Sequence, residues 1–161
     1  MTTLGIRALV MAGFLALALP AAAFAAGSSS DASTGDSDAD SNYSMAKTAI
    51  AQFKYDEAKT YLEKVLAVKP DDADALNLMG FTERKMGDPA ESLEYYNKAL
   101  ALNPKHLGAN EYLGELYLEM KDVKKAEERL AVLQDACGGT CEEYQELKEK
   151  IEKFKSGNSS S

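Results

Sequence analysis

The dodecamer YLEKVLAVKPDD, residues 61–72, returns in altered form as YYNKALALNPKH, residues 95–106. Matching positions lie 34 residues apart, so that Pro70 aligns with Pro104. A fixed period of this length is typical of proteins built from stacked repeats. Each repeat is one unit that cannot bury its apolar face alone, and the next unit along the chain must cover it.

The pattern between residues 43 and 154 is helical throughout. Apolar residues recur every three or four positions, and no long alternation of period two occurs. Pro70 and Pro104 follow predicted helix ends, Gly87 suits the left-handed position after a helix, and Pro89 suits the first turn of the next. The sequence therefore predicts an all-α fold of three helix–turn–helix units. These units cover residues 39–72, 73–106 and 107–137.

Small residues recur at the same two positions of the aligned units, where they allow the two helices of a unit to approach closely. Position eight holds Ala46, Gly80 and Gly114, and position twenty holds Ala58, Ser92 and Ala126. This pattern resembles the tetratricopeptide repeat, and residues 73–104 match it best, with Gly80, Ser92, Tyr96, Ala99 and Pro104 at motif positions. The resemblance implies a right-handed α-solenoid over residues 42–155.

Residues 142–155 predict one more helix after the repeats. Tyr144, Leu147, Ile151 and Phe154 lie on one helical stripe, with Glu and Lys on the remaining faces. A repeat array needs a terminal element with a polar outer face, and this helix is predicted to be that cap.

The two ends of the chain lie outside the predicted repeat domain. Residues 1–25 read as a signal peptide, with Arg7, an apolar stretch and an A-x-A site that places cleavage after Ala25. An uncleaved membrane anchor is the alternative. Residues 26–41 and 156–161 are rich in Ser, Asp and Gly, and predict a disordered acidic tether and a disordered tail. We therefore expect a periplasmic or secreted protein that meets a membrane only during export.

The composition excludes several classes of function. The 161 residues carry a formal net charge of −8, and such an acidic chain is a poor nucleic-acid binder. No Gly-rich phosphate loop appears, and His106, the only histidine, lies in a turn where we expect it to be solvated. No nucleophile or orienting partner is signalled beside it. We expect no catalytic activity, no metal, no cofactor and no small-molecule substrate.

Cys137 and Cys141 flank a predicted loop between the last repeat helix and the cap helix. Their C-x-x-x-C spacing differs from the C-x-x-C of thioredoxin-like redox motifs. In an oxidising compartment the spacing favours a structural disulfide that clips the loop. A redox pair and two free thiols are the alternatives.

The resemblance also implies a concave groove lined by the first helix of each unit. The groove positions are held here by Tyr43, Lys47, Asn77, Phe81, Arg84, Lys85, Glu111, Glu115, Leu118 and Glu119. The family's dicarboxylate clamp needs Lys and Asn where this chain has Tyr43 and Lys47, so that the clamp is not predicted. The row Glu111, Glu115 and Glu119 repels itself along the helix, and we interpret it as a contact for a basic partner, with Phe81 as the apolar anchor.

The sequence thus predicts a protein–protein interaction module, an exported adaptor or assembly factor that binds a partner peptide or helix in its groove. A self-assembling scaffold is the first alternative. A thiol–disulfide factor that uses Cys137 and Cys141 is the second.

Overall fold

The computed structural model describes residues 31–158. Within this range the chain forms seven α-helices joined by short turns. They are α1 (Asp31–Ala51), α2 (Tyr55–Val68), α3 (Ala73–Met86), α4 (Pro89–Leu102), α5 (Leu107–Glu119), α6 (Val123–Cys137) and α7 (Glu142–Asn158). The predicted signal peptide, residues 26–30 of the predicted tether and residues 159–161 of the predicted tail lie outside the described residues. The predicted all-α repeat fold is confirmed.

The turns between helices are fixed by local hydrogen bonds that the sequence encodes. Asp72, Asp88 and Asp122 precede α3, α4 and α6, and each carboxylate accepts a hydrogen bond from a backbone N–H of the first turn. Such caps satisfy donors that a helix start leaves free. Gly87 ends α3 with φ of 90°, a conformation that glycine adopts without strain.

His106 has a structural role that the sequence analysis missed. Its Nδ1 accepts a hydrogen bond from the Ala109 N–H at 3.1 Å, which caps the start of α5. Its Nε2 lies 2.8 Å from a carboxylate oxygen of Asp74 in α3. Only 11% of the side chain is exposed, so that the predicted solvated histidine is instead a bridge between the second and third units.

The helices form two layers. The first helices of successive units, α1, α3 and α5, contact one another in turn, and α5 contacts α7. The second helices α2, α4 and α6 do not approach one another within residues 31–158. The stack therefore curves towards its first helices, and these line the concave face.

Glycines at position eight permit close packing, but with two different partners. A Cβ at Gly80 would lie 2.7 Å from the ring of Tyr96, in the second helix of the same unit. A Cβ at Gly114 would lie 2.5 Å from Leu147, which belongs to α7. The predicted close approach within a unit thus holds at Gly80, whereas Gly114 makes room for the cap helix.

Helix α1 begins earlier than the predicted repeat. The composition of residues 31–41 predicts a disordered tether, and this prediction is wrong, because these residues are helical. Ala39 is 1% exposed, and the Lys69 ammonium lies 2.8 Å from Asp40 and 3.7 Å from Asp36. Asp36 and Asp40, which the composition placed in a solvated tether, therefore form ion pairs at the end of α2. At the other end, α7 continues to Asn158, so that the predicted tail at residues 156–158 is helical too.

Among the described residues, none of the helices combines the length and the apolar character that crossing a membrane requires.

Candidate functional site

A cavity of about 430 Å³ opens on the concave face between α3, α5 and the first half of α7. Five residues predicted to line the groove meet there, together with five that the sequence analysis did not place in the groove. The lining consists of Phe81, Arg84, Lys85, Glu111 and Glu115, and of Tyr112, Glu142, Glu143, Glu146 and Lys150.

Two aromatic rings form the apolar part of this cavity. The ring centroids of Phe81 in α3 and Tyr112 in α5 lie 5.0 Å apart at a tilt of 48°. The Arg84 guanidinium lies 5.6 Å from the Phe81 centroid and 5.8 Å from the Tyr112 centroid. The exposed Lys85 ammonium lies 5.2 Å from the Phe81 centroid on the solvent side. Cations near aromatic rings are attracted by the ring quadrupole, so that the aromatic pair is held in place by charge as well as by packing.

The buried Arg84 joins the second unit to the third through two ion pairs. Its side chain is 3% exposed, and Nη1 lies 2.6 Å from Glu115 Oε2. The same nitrogen lies 3.3 Å from Glu119 Oε1. A buried guanidinium requires such partners. Arg84 was predicted to be a contact for a partner, and the structure instead gives it partners within the chain.

Lys150 of α7 places its ammonium among three carboxylates. It lies 3.5 Å from Glu111 and 2.9 Å from Glu146, and it also contacts Glu115. The glutamate row predicted to await a basic partner is therefore already neutralised, by Arg84 from one side and by Lys150 from the other.

The electrostatics of this cluster are dominated by burial. Glu111 is 5% exposed, and this burial, with the nearby charge of Glu115, raises its pKa to about 8. Burial also opposes the charge of Glu115, but hydrogen bonds from Lys150 and Arg84 outweigh it and lower its pKa. The same cluster holds the pKa of the Lys150 ammonium above its usual range. One carboxyl of the cluster therefore carries a proton near neutral pH while its neighbours are ionised.

A second depression, of about 490 Å³, lies on the other side of Glu115 and Lys150. It is mostly apolar, and Leu118 and Phe154 provide its carbon surface. Its full lining is Glu115, Leu118, Glu119, Lys121, Lys150, Lys153 and Phe154. The predicted groove residues Leu118 and Glu119 lie here, apart from Phe81.

The remaining predicted groove residues do not join either cavity. Tyr43 and Lys47 lie together in a separate depression on α1, with the Lys47 ammonium 5.9 Å from the Tyr43 ring centroid. Burial and the nearby Asp74 raise the pKa of Tyr43 to about 12. Asn77 is 6% exposed and packs against Gly108 of α5, so that it connects helices instead of facing a partner.

The residues that the sequence analysis missed come mainly from α7. The apolar stripe predicted a cap but not its position against the concave side of α5. One signal was available: Glu146 and Lys150 lie one turn apart and beside Leu147 and Ile151, so that they flank the buried stripe. Tyr112 carried no signal, because the family's groove positions do not include it.

Cys137 and Cys141 face each other across the turn between α6 and α7, with Cα atoms 5.9 Å apart. This separation lies within the range that a disulfide spans. The disulfide, and any redox role, stay predictions.

Two models of the tetratricopeptide repeat match the chain, one over residues 37–105 and the other over residues 83–151. Among curated proteins, an uncharacterized protein named ycf37 from Pyropia yezoensis is 32% identical over 99 residues. The match covers 55% of this chain and 54% of the relative, so that the chain spans about half the length of that protein.

Solved structures share the fold. The Sgt2 TPR domain from Aspergillus fumigatus superposes with a TM-score of 0.67 at 21% identity, over 76% of this chain and 82% of that domain. The Yersinia enterocolitica type III secretion chaperone SycD, in complex with a peptide of the translocator YopD, superposes with a TM-score of 0.62 at 18% identity. That match covers 71% of this chain and 87% of the chaperone.

Proposed function

The chain belongs to the tetratricopeptide repeat family, and on that premise we propose that it binds a peptide or helix of a partner protein in its concave groove, without catalysing a reaction. The proposal includes export: the protein works in the bacterial periplasm or outside the cell, after removal of residues 1–25. It acts there as an adaptor or assembly factor.

One observation carries the proposal. The concave face offers a pair of aromatic rings, Phe81 and Tyr112, at the wall of an open cavity in which Arg84 and Lys150 are held by ion pairs. Rigid aromatic side chains surrounded by fixed charges are typical of surfaces that bind protein segments. The SycD structure contains a peptide of its partner, which is consistent with this use of the fold.

Several charged side chains of the groove also have a structural role. Three of its carboxylates, those of Glu111, Glu115 and Glu146, surround the Lys150 ammonium. Arg84, Glu115 and Lys150 thus hold α3, α5 and α7 together, which suits a binding surface.

A site-specific cross-linker tests the proposal. A photoreactive benzoylphenylalanine replaces Lys85, which is exposed in the groove, and in a matched variant it replaces Lys98, which is exposed on α4. The mature protein is irradiated in its native compartment, and mass spectrometry identifies the linked peptides. We expect a discrete partner peptide at position 85 and not at position 98.

Equal cross-linking at both positions would place the binding surface elsewhere. Cross-links at position 85 to this chain itself would favour the self-assembling scaffold. Sedimentation of the mature chain distinguishes a monomer from such an assembly.

A further inference from the structure

The second depression on the concave face, between the end of α5 and the second half of α7, carries an inference about the partner that deepens the proposed function and rests on it. Leu118, 7% exposed, and the half-buried Phe154 give it an apolar floor. A concave, largely apolar pocket of this size with a few charged groups at its rim is the usual form of a binding site.

The charges at the rim are not equivalent. Glu115 and Glu119 both accept from Arg84, and Lys150 is held by Glu111, Glu115 and Glu146. The three rim charges Glu115, Glu119 and Lys150 therefore already have ion-pair partners within the chain. By contrast, Lys121 and Lys153 are exposed, and neither forms an ion pair among residues 31–158.

We propose that this pocket takes an apolar side chain of the partner peptide, and that an acidic residue beside that side chain pairs with Lys121 or Lys153. The carbon floor selects an apolar group, and the two ammonium groups, which have no ion-pair partner among residues 31–158, select a neighbouring group of opposite charge. The partner segment is therefore acidic and apolar.

This proposal reverses the charge that the sequence alone predicted for the partner. The sequence suggested that the glutamate row could bind a basic partner. The cations that pair with these glutamates belong to α3 and α7, which lie far from α5 in sequence. Once Arg84 and Lys150 neutralise the row, the accessible charge of this part of the groove is positive.

The test uses two pools of displayed peptides that share a central Leu or Phe. In one pool the flanking positions are Asp, Glu, Gly or Ser, and in the other they are Lys, Arg, Gly or Ser. The immobilised mature protein should enrich the acidic pool over the basic pool by about tenfold or more, because complementary charges favour capture and like charges oppose it.

Charge reversal gives the decisive comparison. The double variant Lys121→Glu/Lys153→Glu should lose the preference for the acidic pool and select the basic pool. The control Lys124→Glu/Lys148→Glu makes the same change in net charge on exposed positions of α6 and α7 outside the pocket. It should keep the acidic preference. Phe154→Ala should weaken the best acidic clone by about tenfold, with circular dichroism used to verify the fold.

Enrichment of the basic pool by the wild-type protein would overturn the inference. The inference would also be overturned if the two double variants selected the same pool. It would be overturned as well if neither pool were captured while the cross-linker at position 85 still trapped a partner. In each of these cases the proposed function survives. Failure of both the pools and the cross-linker would overturn the proposed function as well.

Discussion

Gly114 of α5 lies directly against Leu147 of α7, so closely that a Cβ on Gly114 would come within 2.5 Å of Leu147 Cδ2. Leu147 is completely buried. Helix α7 therefore docks on the first helix of the last unit, as a further first helix would. This contact brings Lys150 to the glutamates and Phe154 to the floor of the second depression, so that the cap helix shapes the groove.

Gly114→Ala should displace α7 and lower the free energy of unfolding by about 1–3 kcal/mol, because the new methyl group overlaps a buried side chain. Chemical denaturation measures the change. Gly157→Ala is the matched control, since among the described residues no neighbouring side chain or other segment lies within 4 Å of a Cβ there. Leu147→Ala combined with Gly114→Ala should cost less than the sum of the single changes, and strict additivity would contradict the contact.

Gly80→Leu should cost about 1–3 kcal/mol or more, since even its Cβ would lie 2.7 Å from the fully buried ring of Tyr96. The melting temperature of the purified variant, compared with that of the wild-type protein, measures this effect. An unchanged melting temperature would show that α3 and α4 do not pack in this register.

Arg84→Ala should destabilise the protein by about 1.5–3 kcal/mol, because it removes the charged hydrogen bond between α3 and the half-buried Glu115 of α5, which keeps only Lys150 as a partner. The neighbouring Lys85→Ala removes an exposed cation of the same helix and should change stability by less than about 0.5 kcal/mol. Urea denaturation of both variants measures the difference. Similar losses in the two would show that Arg84 is not a buried structural ion.

The stability of the wild-type protein should fall as the pH rises from about 5 to 8. Burial raises the pKa of Glu111 from its usual 4.5 to about 8, so that in this window the folded chain retains a proton that the unfolded chain has lost. The facing groups titrate outside the window: the pKa values of Glu115 and Glu146 are lowered, and those of Lys150 and Tyr112 are raised.

Glu111→Gln should remove this dependence, with a difference from wild type of roughly 1–3 kcal/mol across the window. Denaturation at pH 5, 6.5 and 8 measures it, and the exposed Glu119→Gln serves as the control. A wild-type stability that stays level or rises with pH would show that Glu111 is ionised in the folded protein.

Removing residues 31–41 should cost about 1–2 kcal/mol, in contrast to the dispensable tether that composition predicts. The deletion exposes surface now covered by the buried Ala39, and it frees Lys69 from Asp36 and Asp40. Thermal unfolding of chains beginning at Asp31 and at Asn42 makes the comparison. Equal stability would restore the disordered interpretation of this segment.

The repeat fold was predictable because its determinants are local and periodic. The Asp caps, Gly87 and the prolines each act within a few residues of where they occur, and the 34-residue period repeats the pattern, so that the sequence alone predicts the helix order and the turns between the repeat helices. The N-terminal extension was missed for the opposite reason. Residues 35–41 are stabilised by Lys69, about thirty positions later. The composition of the segment gives no information about a partner so far away in sequence.

By itself the sequence determined the family, the three helical hairpins, the cap helix and the position of Phe81 on the concave side. Only the tertiary structure decided which of the groove's charges are free. Arg84 meets Glu115 across 31 positions, and Lys150 meets it across 35, because stacking and the docking of Leu147 on Gly114 bring these helices together. The charges along a single helix can be read from the sequence. Whether they are neutralised depends on which side chains the packing of other helices brings close. The exposed lysines at the rim, which have no ion-pair partner in the described part of the chain, could therefore be identified only from the tertiary structure.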